Sequence, residues 1–155
     1  MDLAEKNFKV ESFIKKTVDD ICSELDKEII NVTTNLNSFT EPQLMLVSLK
    51  LPTIIYNVYQ QLEILGGKAD TAKVVFEHKY NSKLVSLTSG TVDQKKATAS
   101  IATAEDELYV ICYQRAYKLI QGKVQSAYEL VNSAKKILSV KEQERFNNPN
   151  TTIAD

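Results

Sequence analysis

The chain has 155 residues, of which 43% are hydrophobic and 25% are charged, and its formal net charge is −1, a composition typical of one globular domain. Only four glycines and three prolines are present, too few for the turns of a β-rich or alternating α/β protein, so the composition predicts an all-α fold. No hydrophobic run approaches the ~20 residues of a membrane span, and the N-terminus MDLAEKNFKVESF is too polar for a signal peptide, so we expect a cytosolic protein.

The first predicted helix covers about residues 3–33. Apolar residues recur at steps of three and four from Ile14 to Leu36, which is the spacing of one face of a helix. Asn and Thr side chains in the segment NVTTNLNSF compete for backbone hydrogen bonds, so we expect the helix to end there.

The second predicted helix covers about residues 41–65. Thr40 and Gln43 have the spacing of a capping box, which satisfies the backbone N–H groups at a helix start. Pro52 lies inside this helix and predicts a kink or a break near Leu49 to Leu51, because proline lacks the N–H that an interior position donates. The Gly-Gly pair at 66 and 67 is predicted to end the helix.

Three further helices are predicted over residues 70–87, 92–138 and 140–146, followed by a disordered tail at 147–155. The helix over 92–138 begins at a Thr-x-x-Gln capping box, and at 1.5 Å per residue it would be roughly 70 Å long. The sequence therefore predicts a single all-α domain over 1–146, elongated, with a long C-terminal helix or helical hairpin.

The long helix carries a stripe of apolar and small residues at steps of three and four over more than four heptads, a pattern that suits close helix packing. Because the remaining helices cover only part of so long a helix, we expect the protein to be a homo-oligomer that assembles through this stripe. The predicted interface residues are Leu108, Ile111, Leu119, Val124 and Val131.

Positive charge is concentrated in residues 66–100, which hold six lysines and three acidic residues. On a helical wheel the lysines edge an apolar face, so they either cover hydrophobic surface with their stems or bind the phosphates of single-stranded nucleic acid. The predicted nucleic-acid-binding residues are Lys73, Lys79, Tyr80, Lys83, Lys68, Lys95 and Lys96.

The sequence contains no recognisable catalytic or metal-binding motif, so we expect a protein that is not an enzyme and has no cofactor or metal. The lone histidine, His78, is predicted to lie on the surface, and Cys22 and Cys112 to be buried thiols.

The acids at 105–107 are predicted to face solvent. A tyrosine stripe at 109, 113 and 117 suits either helix packing or base stacking.

A family resemblance rests on the order of three segments: AKVVFEHKYNSKL, then LTSGT, then the long helical region to residue 146. Over roughly residues 68–146 this order resembles the UvsY-like recombination mediators of tailed phages. The resemblance implies a ring-forming, single-stranded-DNA-binding protein of the infected bacterial cytoplasm, which helps load a RecA-like recombinase onto strands coated by single-strand-binding protein. The family's DNA contacts would map onto Lys73, Lys79 and Tyr80, with Lys83 beside them.

A second hypothesis is a helical protein–protein interaction module without DNA binding, such as a phage inhibitor of a host factor or an assembly protein. In that case the face from Leu108 to Val131 would offer its apolar stripe to a protein partner. The first hypothesis requires lysines that bind DNA, and the second predicts no DNA binding.

Overall fold

The computed structural model describes residues 3–147, and within them it has three α-helices, one short 3₁₀ turn and no strand. Helix α1 is Leu3–Asn35, α2 is Glu41–Ser86 and α3 is Val92–Asn147. The prediction of an all-α fold with a long C-terminal helix is confirmed. None of the helices in this part of the chain contains a stretch that is long and apolar enough to cross a membrane.

The helix ends follow from local side-chain hydrogen bonds. Thr91 and Gln94 form the predicted capping box before α3, in which each side chain accepts a hydrogen bond from the other's backbone N–H. Before α2, the Thr40 N–H donates to the Gln43 side chain at 2.8 Å. Gly90 precedes the α3 cap with a φ of +97°, a conformation that glycine adopts without steric strain.

Helix α2 is one helix of 46 residues, where the sequence predicted two separate helices over 41–65 and 70–87. A glycine in a helix interior costs only about 1 kcal/mol relative to alanine, and buried residues on both sides of the Gly-Gly pair hold the helix in place. These residues are Leu62, Leu65 and Ala69. The Gly-Gly pair therefore does not end the helix, because tertiary packing outweighs its low helix propensity.

Pro52 also lies inside α2 and does not break it. Thr53 donates its hydroxyl hydrogen to the Leu49 carbonyl at 3.2 Å, and Ser48 donates to the Leu44 carbonyl at 3.0 Å, so two carbonyls around the proline have side-chain donors. Of the two predicted alternatives at Pro52, the break is wrong, and the kink stays a prediction.

Helix α3 continues to Asn147, whereas the sequence predicted a break between helices 92–138 and 140–146. The interruption was predicted from a capping-box pattern at Ser139, but no glycine or proline follows it before the end of the helix. A serine within a helix costs a fraction of a kcal/mol, so the pattern alone does not start a new helix. Residues 148–155, which include most of the predicted tail, lie outside the described residues.

The helices contribute to two compact units. Unit 1 comprises the residues up to Asp20 together with Gln61–Ile120. Its core is formed by apolar and small side chains of all three helices, and an edge-to-face contact between Phe13 and Tyr113, with ring centroids 5.3 Å apart, joins α1 to α3. The buried apolar residues of unit 1 are Val18, Leu62, Leu65, Ala69, Ala99, Val110, Cys112, Ala116 and Ile120.

Unit 2 comprises Ile21–Gln60 together with the residues from Gln121 onward. Two ion pairs, Lys50–Glu28 and Lys123–Asp26, link α1 to α2 and to α3, with N–O distances of 2.7 and 2.6 Å. Its buried apolar residues are Cys22, Leu25, Val32, Leu44, Val47, Leu51, Ile54, Ile55, Val58, Val124, Ala127, Val131 and Ala134. The second half of α3 is thus covered by the chain's own α1 and α2. The prediction of a single domain over 1–146 stays a prediction.

The two adjacent glycines of α2 provide a matched test of its continuity. A Cβ atom at Gly67 would meet no atom within 4 Å, whereas one at Gly66 would lie 3.3 Å from the Tyr117 ring. We expect Gly67→Ala to raise the free energy of unfolding by about 1 kcal/mol, because alanine favours the helix. Gly66→Ala should raise it less or lower it, because the Tyr117 ring must move. Urea denaturation measures both changes, and a destabilised Gly67→Ala variant would contradict a continuous α2.

Candidate functional site

The predicted nucleic-acid-binding residues all lie in unit 1, on the C-terminal part of α2 and the first turn of α3. Lys68, Lys73, Lys79 and Lys83 are exposed on α2. On α3, Lys96 is exposed and Lys95 is half-buried. These lysines are therefore accessible, and the question is how much of their charge is compensated.

Lys79 is paired with an acid from the neighbouring helix. Its Nζ lies 2.5 Å from the Asp106 Oδ1, and the Asp106 side chain is only one-quarter exposed. Asp106 belongs to the acidic stretch of α3 that was predicted to face solvent, so that prediction is wrong for this residue. The sequence shows few acids near the lysines because the compensating acid comes from a helix 27 positions further along the chain.

Three exposed lysines of the predicted set, and the half-buried Lys95, have no ion pair with any residue of the described range. Lys73 lies 3.9 Å from the Glu77 carboxylate within α2, an exposed pair that contributes little. Lys68, Lys83 and Lys96 make no ion pair with any residue of the described range 3–147. The positively charged surface of unit 1 is thus smaller than the count of lysines predicts.

An open groove of about 600 Å³ runs between α2 and α3 in unit 1. Lys68 and Asp106 supply its charged groups, and Tyr109 and Tyr113 supply its rings. Tyr113 packs on Phe13, whereas Tyr109 is half exposed. One ring of this groove therefore remains accessible for stacking.

The other predicted aromatic contacts have packing roles. Tyr80 is half-buried with its ring centroid 6.1 Å from that of Phe76. Tyr117 is half-buried beside Gly66. Within the tyrosine stripe, the alternative of packing fits Tyr113 and Tyr117, and the alternative of stacking stays open for Tyr109. The role of Tyr80 in nucleic-acid binding stays a prediction.

The residues of the predicted oligomer interface have different environments. Val124 and Val131 are 2% and 3% exposed inside unit 2, so both already pack within the chain. Leu108 and Ile111 are half-buried in unit 1. Leu119 is exposed, and among the five it alone presents most of its side chain to solvent. The expectation that the far half of α3 packs on other subunits is wrong for its two buried valines, because α1 and α2 cover them.

A different apolar surface, which sequence reasoning missed, lies on α2 within unit 2. We call it the α2 outer face; it comprises five large side chains exposed between 39% and 71%, namely Met45, Leu46, Leu49, Tyr56 and Tyr59. The signal was present in the sequence, because eleven of the sixteen residues from 44 to 59 are apolar or aromatic, which is more than one buried stripe requires. A helix with so much apolar surface is ordinarily covered on more than one side.

The α2 outer face also lacks uncompensated charge. Between Glu41 and Glu63 the only charged residue of α2 is Lys50, and Lys50 pairs with Glu28, whose side chain is largely buried. The hydrogen bond to Glu28 and its negative charge raise the pKa of Lys50 above its ordinary value. Lys50 therefore stays charged at neutral pH, and its pairing with Glu28 leaves this stretch of α2 without an unpaired charge.

No cluster of three or more His, Cys, Asp or Glu side chains among the described residues is placed to hold a metal ion. Burial raises the pKa of the Cys112 thiol, an effect that the positive charge of Arg115 partly opposes. The thiol is therefore neutral at physiological pH, which is the state of a packing residue and not of a nucleophile.

Comparisons of this chain with protein-family models, with curated proteins and with solved structures find no match. The resemblance to UvsY-like mediators stays a prediction.

The Lys79–Asp106 pair can be tested by a double-mutant cycle with Lys79→Ala and Asp106→Ala. Because Lys79 is half exposed although Asp106 is only one-quarter exposed, we expect a coupling energy of about 0.5 kcal/mol at low salt that decreases as salt screens the pair. The same cycle on Lys73 and Glu77 is the control and should give a smaller coupling. A coupling of zero for Lys79 and Asp106 in urea denaturation would contradict the ion pair.

Proposed function

We propose that this protein is a non-enzymatic helical interaction protein that binds a protein partner through the α2 outer face. The observation that carries the proposal is the exposure of five large apolar side chains on one helix with no uncompensated charge among them. Contiguous exposed apolar surface of this kind commonly marks an interaction site in monomeric proteins.

The chemistry of the face favours a protein over other ligands. Phosphate groups need uncompensated positive charge, whereas the two charged α3 residues beside Met45 and Leu49, Lys135 and Glu142, have opposite signs. A small molecule needs a concave site that encloses it. The open groove of about 340 Å³ beside Met45 and Leu49 borders only one end of this face, which extends over residues 45–59, or roughly 20 Å of helix. Exposed Tyr, Met and Leu side chains with few charges are typical of the centre of a protein–protein interface.

Site-specific photo-crosslinking tests this proposal in cells that express the protein. Tyr56 is replaced by a photoreactive phenylalanine analogue of similar size, so the helix and its packing are retained. We expect irradiation to yield one dominant protein adduct, identified by mass spectrometry, because the ring lies within the proposed interface.

The control position is Ser133, which is exposed on α3 in the same unit and has no part in the α2 outer face. It should give no dominant adduct. Equal adduct yields at positions 56 and 133 would contradict a protein-binding role for this face.

A second candidate function is weak binding of single-stranded DNA by unit 1. It is supported by the three exposed lysines without an ion pair, Lys68, Lys83 and Lys96, and by the accessible Tyr109 ring in the groove beside Lys68. Lysines that neutralise phosphates next to an accessible aromatic ring are a common arrangement for sequence-tolerant binding. The mediator role, with a RecA-like recombinase and a single-strand-binding protein as partners, rests on the family resemblance alone.

The DNA-binding candidate predicts opposite effects from two substitutions. Lys83→Glu should weaken binding, because one contact to a phosphate is lost. Binding then releases fewer counterions, so the slope of log affinity against log salt should decrease in magnitude by about 0.7. Asp106→Asn should strengthen binding, because it leaves Lys79 without its ion pair. Fluorescence anisotropy with labelled single-stranded DNA at several salt concentrations measures both.

The matched control is Lys135→Glu, which makes the same charge change in unit 2. An affinity that falls equally for Lys83→Glu and Lys135→Glu would reflect net charge alone. That result, or the absence of any salt dependence, would reject unit 1 as a DNA-binding site.

A further inference from the structure

The exposed face of α2 contains a set of regularly spaced residues that lie outside the core of unit 2. Five residues, which we call the α2 seam, follow each other at steps of three, four, three and four. They are Leu46, Leu49, Thr53, Tyr56 and Gln60. This is the spacing at which helices of a coiled coil contact each other, with Leu46, Leu49 and Tyr56 as its large members and Thr53 and Gln60 as polar ones. All five side chains are exposed.

The seam lies entirely within unit 2, and the core of that unit uses other residues of the same helix. Leu44, Leu51, Ile55 and Val58 are buried, so the α2 seam is a second contact surface on a helix whose inner surface is already packed. The exposed side chains of Leu46, Leu49 and Tyr56 lie along one side of α2, where a second helix can pack on them.

We propose that the occupant of the α2 seam is the α2 seam of a second copy of this chain, so that the protein is a homodimer with two-fold symmetry. The proposal rests on the proposed function, because it names the partner of the α2 outer face. A two-fold interface uses the same patch on both subunits, so the patch must be compatible with itself.

Electrostatics supports self-pairing at this site. Like charges facing each other across a two-fold axis repel, and each such contact counts against a homodimer. The α2 seam contains no charged residue, and Lys50 on the same stretch of α2 is paired with Glu28. The two charged α3 residues that share a groove with Leu49, Lys135 and Glu142, have opposite signs, so they add no net charge beside the seam. Two copies of the seam therefore meet without repulsion.

The size of the surface also fits a dimer. The five large side chains of the α2 outer face together expose roughly 600 Å², since a large side chain presents on the order of 200 Å² when fully accessible. A stable interface removes about 800 Å² from each partner, and the exposed Thr53, Asn57 and Gln60 on the same face supply the remainder.

The residue sizes along the seam favour an antiparallel arrangement centred on Thr53. In that register Thr53 meets its own counterpart at the two-fold axis, Leu49 meets Tyr56, and Leu46 meets Gln60. A small residue at the axis lets the helices approach closely, and the antiparallel orientation opposes the two helix dipoles favourably.

Sedimentation velocity from about 1 to 100 µM, a range that resolves micromolar dissociation constants, tests the proposal on the full chain. We expect the wild-type protein to be a dimer at the upper concentrations and Leu49→Glu to weaken dimerisation at least tenfold. Leu49 is 71% exposed, so the substitution leaves the monomer folded, which helical circular dichroism and the urea midpoint check.

Two variants with the same charge change serve as controls. Ile101→Glu replaces an exposed apolar residue of unit 1, and Leu119→Glu replaces the exposed member of the α3 interface predicted from sequence. Both should dimerise like the wild type. A dimer that Leu119→Glu disrupts and Leu49→Glu leaves intact would overturn the proposal in favour of α3.

A Thr53→Cys variant gives an independent measurement. Because a residue at a two-fold axis meets its own counterpart, mild oxidation should convert Thr53→Cys, but not an Ile101→Cys control, into a disulfide-linked dimer. A wild-type monomer at 100 µM without this crosslink would overturn the proposal. In that case an adduct of position 56 with a different protein would leave the proposed function standing, whereas the absence of any adduct would reject both.

Discussion

The continuity of α2 is the constraint on which the rest of the structure depends. Because this helix runs from Glu41 to Ser86 without a break, it contributes core residues to both compact units and, with α1, covers the apolar stripe of α3. With Val124 and Val131 of α3 covered, the α2 outer face is an apolar surface of unit 2 that remains exposed. Gly66 allows α2 to pack closely on α3, because a Cβ atom at this position would lie 3.3 Å from the Tyr117 ring.

Local sequence signals predicted where helices begin and failed to predict where they continue. The cap at Thr91 and Gln94 and the end of α1 near Asn35 depend on side chains within four residues of each other, which the sequence displays. The passage of α2 through the Gly-Gly pair depends on tertiary packing, which local propensity does not contain. Helix boundaries that result from packing are therefore the ones that were mispredicted.

The candidate sites were mispredicted for a related reason. An apolar stripe predicts that a helix packs on something, and it does not say whether the partner belongs to the same chain. Val124 and Val131 are buried within unit 2, while Leu49 and Tyr56 of α2 in the same unit remain exposed. Likewise, counting charges along the chain gave six lysines and three acids in residues 66–100, but the acid that compensates Lys79 is Asp106 from the next helix.

The distance between spin labels at Glu63 and Asn81 tests the continuity of α2 most directly. Both residues are exposed on α2 in unit 1, on either side of the end predicted at the Gly-Gly pair, and the native cysteines Cys22 and Cys112 are buried. The two positions are five helical turns apart, so a continuous helix predicts one narrow distance distribution near ~27 Å by double electron–electron resonance. A broad distribution, or one centred well below that distance, would show that α2 ends at the glycines and would contradict this account.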